Sequence, residues 1–328
     1  MHDTTLLTAA EDGALPRVPV GDWVDTGFDW LKDNFDPFFD ALSDLTEATV
    51  DGVTAVLLAP PPVLLAVLLA LLGLAVRSVA FGVGSLLGLF LIQGMDLWEE
   101  AMETLALLLV ATVVAVVIAI PVGVAAAKSD RVSAAVRPVL DFMQTMPAFV
   151  YLVPAVTFFG IGLVPGIVTT IIFALPPGVR LTELGIRQVD TETVEAGHAF
   201  GSSPGQILRG IELPLARPTI MAGVNQVIML GLSMAVIAGL IGAGGLGSIV
   251  VTSISRLDVG LGFEAGIAVV ILAIYLDRLT GAFGRIERTS PLWRLRRRRS
   301  ATTAANGVRG TAPAPAPEAV TASRTPRV

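Results

Sequence analysis

Few residues in this 328-residue chain could make or break a covalent bond. There is no cysteine, which excludes disulfides, thiolate metal sites and cysteine nucleophiles. Two histidines, His2 and His198, leave almost no scope for a histidine metal site. Lys32 and Lys128 are the only lysines, and neither stands in a Gly-x-x-x-x-Gly-Lys-Ser/Thr setting, so no loop here can cradle nucleotide phosphates. The chemistry that remains is noncovalent. Gln144, Thr145, Tyr151, Asn225, Gln226 and Ser233 lie in strongly apolar surroundings, where such groups either line a path for a solute or hydrogen-bond one helix to another. No ionisable residue falls in the middle of an apolar segment, the depth at which gradient-driven carriers typically place one. Asp277 and Arg278 lie toward the end of the last such segment, where pairing or snorkelling suffices.

A second constellation is defined by spacing. The longest polar interval inside the apolar region runs from Arg180 to Arg217, too long for a simple turn. Asp190 can cap a helix through Thr191 to Phe200, and Gly201 then stands where a left-handed residue would end it. Ser203, Pro204 and Gln206 supply an N-cap, a proline at the first helical position and the third-position partner of a capping box. Pro214 is expected to stop that second helix. The interval therefore reads as two short helices meeting at Gly201, an exposed knob rather than a linker.

The elements that must position these residues follow from hydropathy. Hydrophobic residues make up 53% of the chain and charged ones 15%, which is outside the range of an ordinary soluble domain. A membrane span needs roughly 20 predominantly apolar residues, and segments at about 54–76, 78–94, 102–127, 140–160, 164–180, 218–243 and 263–283 qualify. Pro60, Pro61 and Pro62 interrupt the first, and only Arg77 divides it from the second, so a re-entrant hairpin is an alternative there. In a seven-span arrangement Arg77, Lys128, Arg131, Arg137, Arg180, Arg187, Arg209 and Arg217 fall on one side. The excess of basic residues in short loops marks the cytoplasmic face, which puts the N-terminus outside and the C-terminus inside.

Residues 1–52 carry twelve acids against Arg17 and Lys32, with Trp23, Phe28, Trp30, Phe35, Phe38 and Phe39 among them. An amphipathic helix at the outer membrane interface would explain the mixture; a solvated acidic tail with incidental aromatics is the other reading. The N-terminus lacks the basic-then-apolar order of a signal peptide, so targeting is expected from the first membrane helix. After Arg294 and Arg296 to Arg299, residues 300–328 show no hydrophobic periodicity and alternate alanine with proline from Ala312 to Pro317. They are expected to form a disordered cytoplasmic tail. Four regions result: 1–52, an acidic extracytoplasmic segment; 53–95, two accessory spans; 96–284, a membrane core containing the loop 181–217; and 285–328, the basic tail.

Glu195-Ala196-Gly197, three residues, Gly201, nine residues and then Ile211-Glu212-Leu213-Pro214 resembles the EAA loop of ABC importer permeases. The one departure is Gly197, where alanine is common, a change that adds helix cost but no bulk. Asp141 to Pro147, Tyr151 to Pro154, Ala222 to Gln226, Gly244 to Gly247 and Arg256 to Asp258 extend the resemblance, over roughly 20–283, to the glycine betaine/proline betaine permease branch of bacterial inner membranes. That resemblance implies an all-α polytopic fold of about seven transmembrane helices with a type I (MetI-like) core. It also implies a homodimeric pair of permeases in the bilayer, a cytoplasmic ABC ATPase that binds ATP and magnesium, and an extracytoplasmic substrate-binding protein. No nucleic-acid partner and no cofactor or metal in this chain are expected. Glu195, Ala196, Gly197, Gly201, Ile211, Leu213 and Pro214 would form the ATPase-coupling loop. A quaternary ammonium zwitterion would suit the amides and aromatic face of the candidate path, and osmoprotection would be the physiological setting. Choline, carnitine or proline as cargo, a secondary carrier, and a membrane-anchored interaction protein are the alternatives.

Overall fold

Hydrocarbon offers no water to backbone N–H and C=O groups, so long apolar runs must become helices, and among residues 18–284, which the computed structural model describes, they do. Helix α1 is Val20–Leu58 and α2 is Pro62–Val76. Helix α3 is Val79–Gly94 and α4 is Trp98–Lys128. Helix α5 is Asp130–Thr145, and a 3-10 turn at Ala148–Tyr151 leads into α6, Leu152–Phe159. Helix α7 is Leu163–Arg187, α8 is Thr191–Ala199 and α9 is Pro204–Ile207. A π turn at Leu208–Glu212 enters α10, Leu213–Ala238. A 3-10 turn at Gly239–Ile241, α11 at Gly245–Arg256 and α12 at Val259–Gly284 complete the order. The tail expected at 285–328, and residues 1–17 of the acidic segment, lie outside the described residues.

Four helices are long and apolar enough to cross a membrane: α4, α7, the continuous rod Pro204–Ile241, and α12. The number rises to six if each of two bent pairs is one span: α1 with α2, bent by 97°, and α5 with α6, bent by 106°. The seven apolar segments thus map onto fewer straight helices. Pro60 to Pro62 account for the first bend. At the second, Met146 is extended (φ −69°, ψ 133°), as the residue before a proline must be to avoid its ring, so the segment at 140–160 is broken at Pro147. Helix α3, with 16 residues, is shorter than a full span requires.

Helix α7 sits at the centre, packed most extensively against α10 and α4. Small side chains bring them close: Ala115, Ala174 and Val227 form one buried cluster, and Ala119 and Val179 join Leu140 in another. Small residues are what close packing demands where lipid supplies no hydrophobic drive between helices. The α2–α3 hairpin leans on α12, where the Tyr275 hydroxyl donates to the Leu69 carbonyl at 3.0 Å and its ring stacks 5.9 Å from Phe81. The described part of 1–52 is helical from Val20 onward, as the first part of α1. Phe28 and Phe39 pack on Phe158 of α6 at 5.0 and 4.6 Å, while Trp23, Trp30, Phe35 and Phe38 remain exposed.

The tightest crossing joins the end of α10 to the start of α11. A Cβ on Gly239 would lie 2.2 Å from the Gly247 carbonyl carbon, which no side-chain rotation can relieve. The first N–H groups of α11 are capped from α4: Glu103 Oε2 accepts from Gly245 at 2.9 Å and Thr104 Oγ1 from Leu246 at 2.8 Å. Gly239→Ala should therefore overpack the crossing at a cost of about 1–3 kcal/mol. Its thermal inactivation midpoint in detergent should fall clearly. Gly52→Ala, on α1 with nothing within 4 Å of the added carbon, should hold or raise the midpoint; equal midpoints for the two variants would mean the backbones are not in contact.

Candidate functional site

The polar interval is narrower than 181–217, because α7 continues to Arg187 and α10 begins at Leu213. Between them, Asp190 Oδ1 accepts from the Glu192 N–H at 3.0 Å and starts α8. Gly201 ends α8 with φ +79°. Its N–H donates to the His198 carbonyl at 2.9 Å and that of Ser202 to Gly197 at 3.1 Å, the paired bonds of a Schellman turn. Ser203 N–H then donates to Gln206 Oε1 at 2.8 Å and sets the next helix going.

Pro214 does not stop that helix. Its nitrogen has no hydrogen to donate, yet the chain absorbs the loss by widening one turn: Leu213 N–H bonds to the Leu208 carbonyl, five residues back. A π turn of this kind lets the helix run on through the proline. The knob and the span are consequently one rod from Pro204 to Ile241.

The seven loop residues predicted from the motif divide into two sets. Glu195, Ala196, Gly201 and Pro214 are exposed; Gly197 is buried, and Ile211 and Leu213 are partly so. Gly197 lies under the second arm of the knob, where an added Cβ would meet Ile211 Cδ1 at 2.8 Å and Ile207 Cγ1 at 3.4 Å. Its lack of a side chain therefore sets how closely α8 lies on Ile211. Phe200, absent from the motif, is 91% exposed at the tip; an aromatic beside a left-handed glycine in a polar loop was the available sign. His198 is exposed on α8.

Below the knob lies an ion-pair network that spacing alone did not reveal. Glu183, buried on α7, accepts from Ser133 Oγ at 2.7 Å and Arg137 Nη2 at 3.1 Å, and pairs with Arg187 Nε at 3.0 Å. Arg187 also donates to Asp130 Oδ1 at 2.8 Å and to the Ala126 carbonyl at 2.9 Å. Arg180 pairs with Asp141. Lys128, at the end of α4, pairs with Glu212, whose side chain is 8% exposed. These bonds tie α4, α5 and α7 to the π turn, so the knob stands on a braced base. A lone acid amid arginines at helical spacing was the legible trace of Glu183.

The six candidate path residues also separate. Gln144 and Thr145 are exposed at the end of α5, just before the break, and Thr145 Oγ1 donates to the Phe142 carbonyl at 3.1 Å. Gln226 and Ser233 are exposed along one stripe of α10, with Met229 between them. Tyr151 is buried and donates its hydroxyl to the Met143 carbonyl at 2.6 Å, which clasps the α5–α6 bend. Asn225 faces α12 instead: its Nδ2 donates to Asp277 Oδ1 at 2.6 Å and its Oδ1 accepts from Thr280 at 3.1 Å. Among the described residues no group of three or more His, Cys, Asp or Glu side chains is placed to hold a metal ion.

Residues 119–286 match the family described as binding-protein-dependent transport system inner membrane component. The chain is 49% identical over 272 residues to the glycine betaine/proline betaine transport system permease protein ProW of Escherichia coli (strain K12), covering 83% of this chain and 77% of that one. It is 49% identical over 275 residues to the glycine betaine/carnitine transport permease protein GbuB of Listeria monocytogenes serotype 1/2a (strain 10403S), covering 83% and 97%. Among solved structures, an inward-facing form of the MetNI methionine ABC transporter superposes with a TM-score of 0.52 at 26% identity, covering 56% of this chain and 92% of that chain.

The Lys128–Glu212 pair can be tested by itself. Removing one partner strands the other, and a buried carboxylate suffers more from this than an exposed ammonium; Lys128, with its side chain 41% exposed, moderates the effect. Lys128→Ala should lower the thermal inactivation midpoint more than the double variant Lys128→Ala/Glu212→Gln, in which no charge is left stranded. A double variant at or below the single one would show that the pair does not brace the base.

Proposed function

Since the chain belongs to the family of binding-protein-dependent transport system inner membrane components, we propose that it is the permease subunit of an ATP-driven importer whose cargo is glycine betaine or a closely related quaternary-amine solute. The observation that carries this reading is the knob at 188–212, a rigid, braced, outward-pointing element in a chain with no phosphate-binding loop. Its exposed tip, Glu195, Ala196 and Phe200, seats on a separate ATPase subunit, which binds ATP and magnesium. Gly197, Gly201, Ile211, Leu213 and Pro214 shape that tip rather than touch the partner. The names of the relatives support the cargo. A second copy of the chain completes the path, and a binding protein delivers solute from the opposite face.

Of the path candidates, the exposed Gln144, Thr145, Gln226 and Ser233 line the route, while Tyr151 and Asn225 hold the helices that frame it. The orientation is N-terminus outside and C-terminus inside. It is supported by the grouping of Arg77 beside Arg278 and of Lys128 beside Glu212 at one end of the helices, with Glu103 beside Gly245 at the other.

Reconstituted with its ATPase and binding protein in vesicles, the chain should take up labelled glycine betaine only when ATP is supplied. Uptake driven by an ion gradient in ATP-free vesicles would refute the reading. In the same assay Gly201→Val should insert normally, since no atom lies within 4 Å of its added carbon. The left-handed conformation nevertheless costs a residue with a Cβ roughly 1 kcal/mol or more, so uptake and solute-stimulated hydrolysis should both drop. Gly201→Asn, which tolerates that conformation, should retain most of both. Wild-type uptake by the valine variant would remove the knob from the coupling mechanism.

Reporter fusions test the orientation separately. Fusions after Asp40 and Val250 should report an external location, and those after Asp130 and Phe200 an internal one. The opposite pattern at Asp130 and Phe200 would invert the assignment of faces.

A further inference from the structure

On one flank of the bundle, helices α3 and α12 meet where Phe81 stacks on Tyr275 and where a Cβ on Gly88 would lie 2.9 Å from Ile271 Cγ2, and they part beside Gly84. A cavity of about 230 Å³ opens between them, walled by Phe81, Gly84, Ser85, Gly88, Ile271 and Tyr275. Gly84 leaves it open, since nothing lies within 4 Å of a Cβ built there. Its rim is apolar and outward-facing, with Val83, Leu87, Val270 and Ile274 each at least half exposed, as lipid-facing side chains are. Ser85 forms part of its floor, with Oγ shut from solvent on the side of Gly73 of α2.

One end of this groove is basic. Arg77 lies four residues before Phe81; its guanidinium sits 6.0 Å over that ring and its Nη1 donates to the Arg278 carbonyl at 3.3 Å. Arg278 continues the wall made by Ile271, Ile274 and Tyr275 by one further turn, and its side chain is 52% exposed. Its Nε is 3.6 Å from Asp277 Oδ2, while the other oxygen of that carboxylate is engaged by Asn225. An apolar slot ending in two arginines near the end of two membrane helices has the charge and shape of a phospholipid, tail in the slot and phosphate at the mouth.

We propose that the α3–α12 groove is a binding site for an anionic phospholipid, its acyl chain against Gly84 and its headgroup on Arg77 and Arg278. A bound lipid wedges the α2–α3 hairpin against α12, so the hairpin is a lipid-held accessory rather than a part of the path.

The test uses the full chain, purified from vesicles containing equal amounts of phosphatidylglycerol and phosphatidylethanolamine, with co-purifying lipid counted by native mass spectrometry. Wild type should retain phosphatidylglycerol selectively. Arg77→Gln/Arg278→Gln should lose that preference, by about 25-fold if each arginine contributes its usual surface share. Gly84→Leu, which fills the slot and favours helix, should reduce retention of both lipids while the protein elutes as wild type does. Phosphatidylglycerol carrying a diazirine on its acyl chain should form adducts on Ala80 to Leu89 and Ile271 to Tyr275. Unchanged selectivity in the double arginine variant overturns the proposal. So do adducts spread evenly over all spans, or a groove that crosslinks to a second copy of the chain.

Discussion

The constraint on which the rest of this structure depends is that a helix interrupted inside hydrocarbon must find partners for the backbone groups it frees. Three interruptions here are provided for. The start of α11 is capped by Glu103 and Thr104 from α4. The bend at Pro147 is clasped by the Tyr151 hydroxyl on the Met143 carbonyl. The proline at 214 is carried by a turn that reaches five residues back. Long-range side-chain bonds therefore concentrate where helices break or end, whereas uninterrupted stretches rely on close contact between small residues.

The same logic explains what was legible in the sequence. Local backbone chemistry could be read from neighbouring residues: the Asp190 cap, the left-handed Gly201 and the Gln206 partner of Ser203 all stand where their residue types placed them. Pro214 does not stop the helix as its residue type alone implies, because a proline's effect depends on whether the helix can reassign the lost bond, and here the Lys128–Glu212 pair and the burial of Ile207 hold the widened turn in place. The apolar run at 140–160 suggested a single span, since hydropathy records solvent preference and not direction. Asn225 and Gln226 are adjacent in sequence yet face different surroundings, and only the packing of α10 on α12 separates them.

The knob and its base have different characters. The tip offers exposed Glu195, Ala196 and Phe200, while the base is crossed by ion pairs from three helices. Exposed ion pairs individually contribute little, but Glu183 is buried and shared by two arginines and a serine, which fixes the separation of α5 and α7. Geometry at the tip is thereby referred to the membrane helices through a stiff network rather than through a flexible linker.

The continuity of Pro204 to Ile241 has a mechanical meaning. A rod of 38 residues is about 57 Å long at the usual helical rise, and it contains the second arm of the knob at one end and Gln226 and Ser233 further along. The braced π turn falls within its first nine residues, so the second arm of the knob and the stripe carrying Gln226 and Ser233 belong to one helix and not to two joined by a linker. Its two ends are both anchored, one by the Lys128–Glu212 pair beside the knob and the other by the close Gly239–Gly247 crossing, so the orientation of the knob's second arm and that of the stripe are set together.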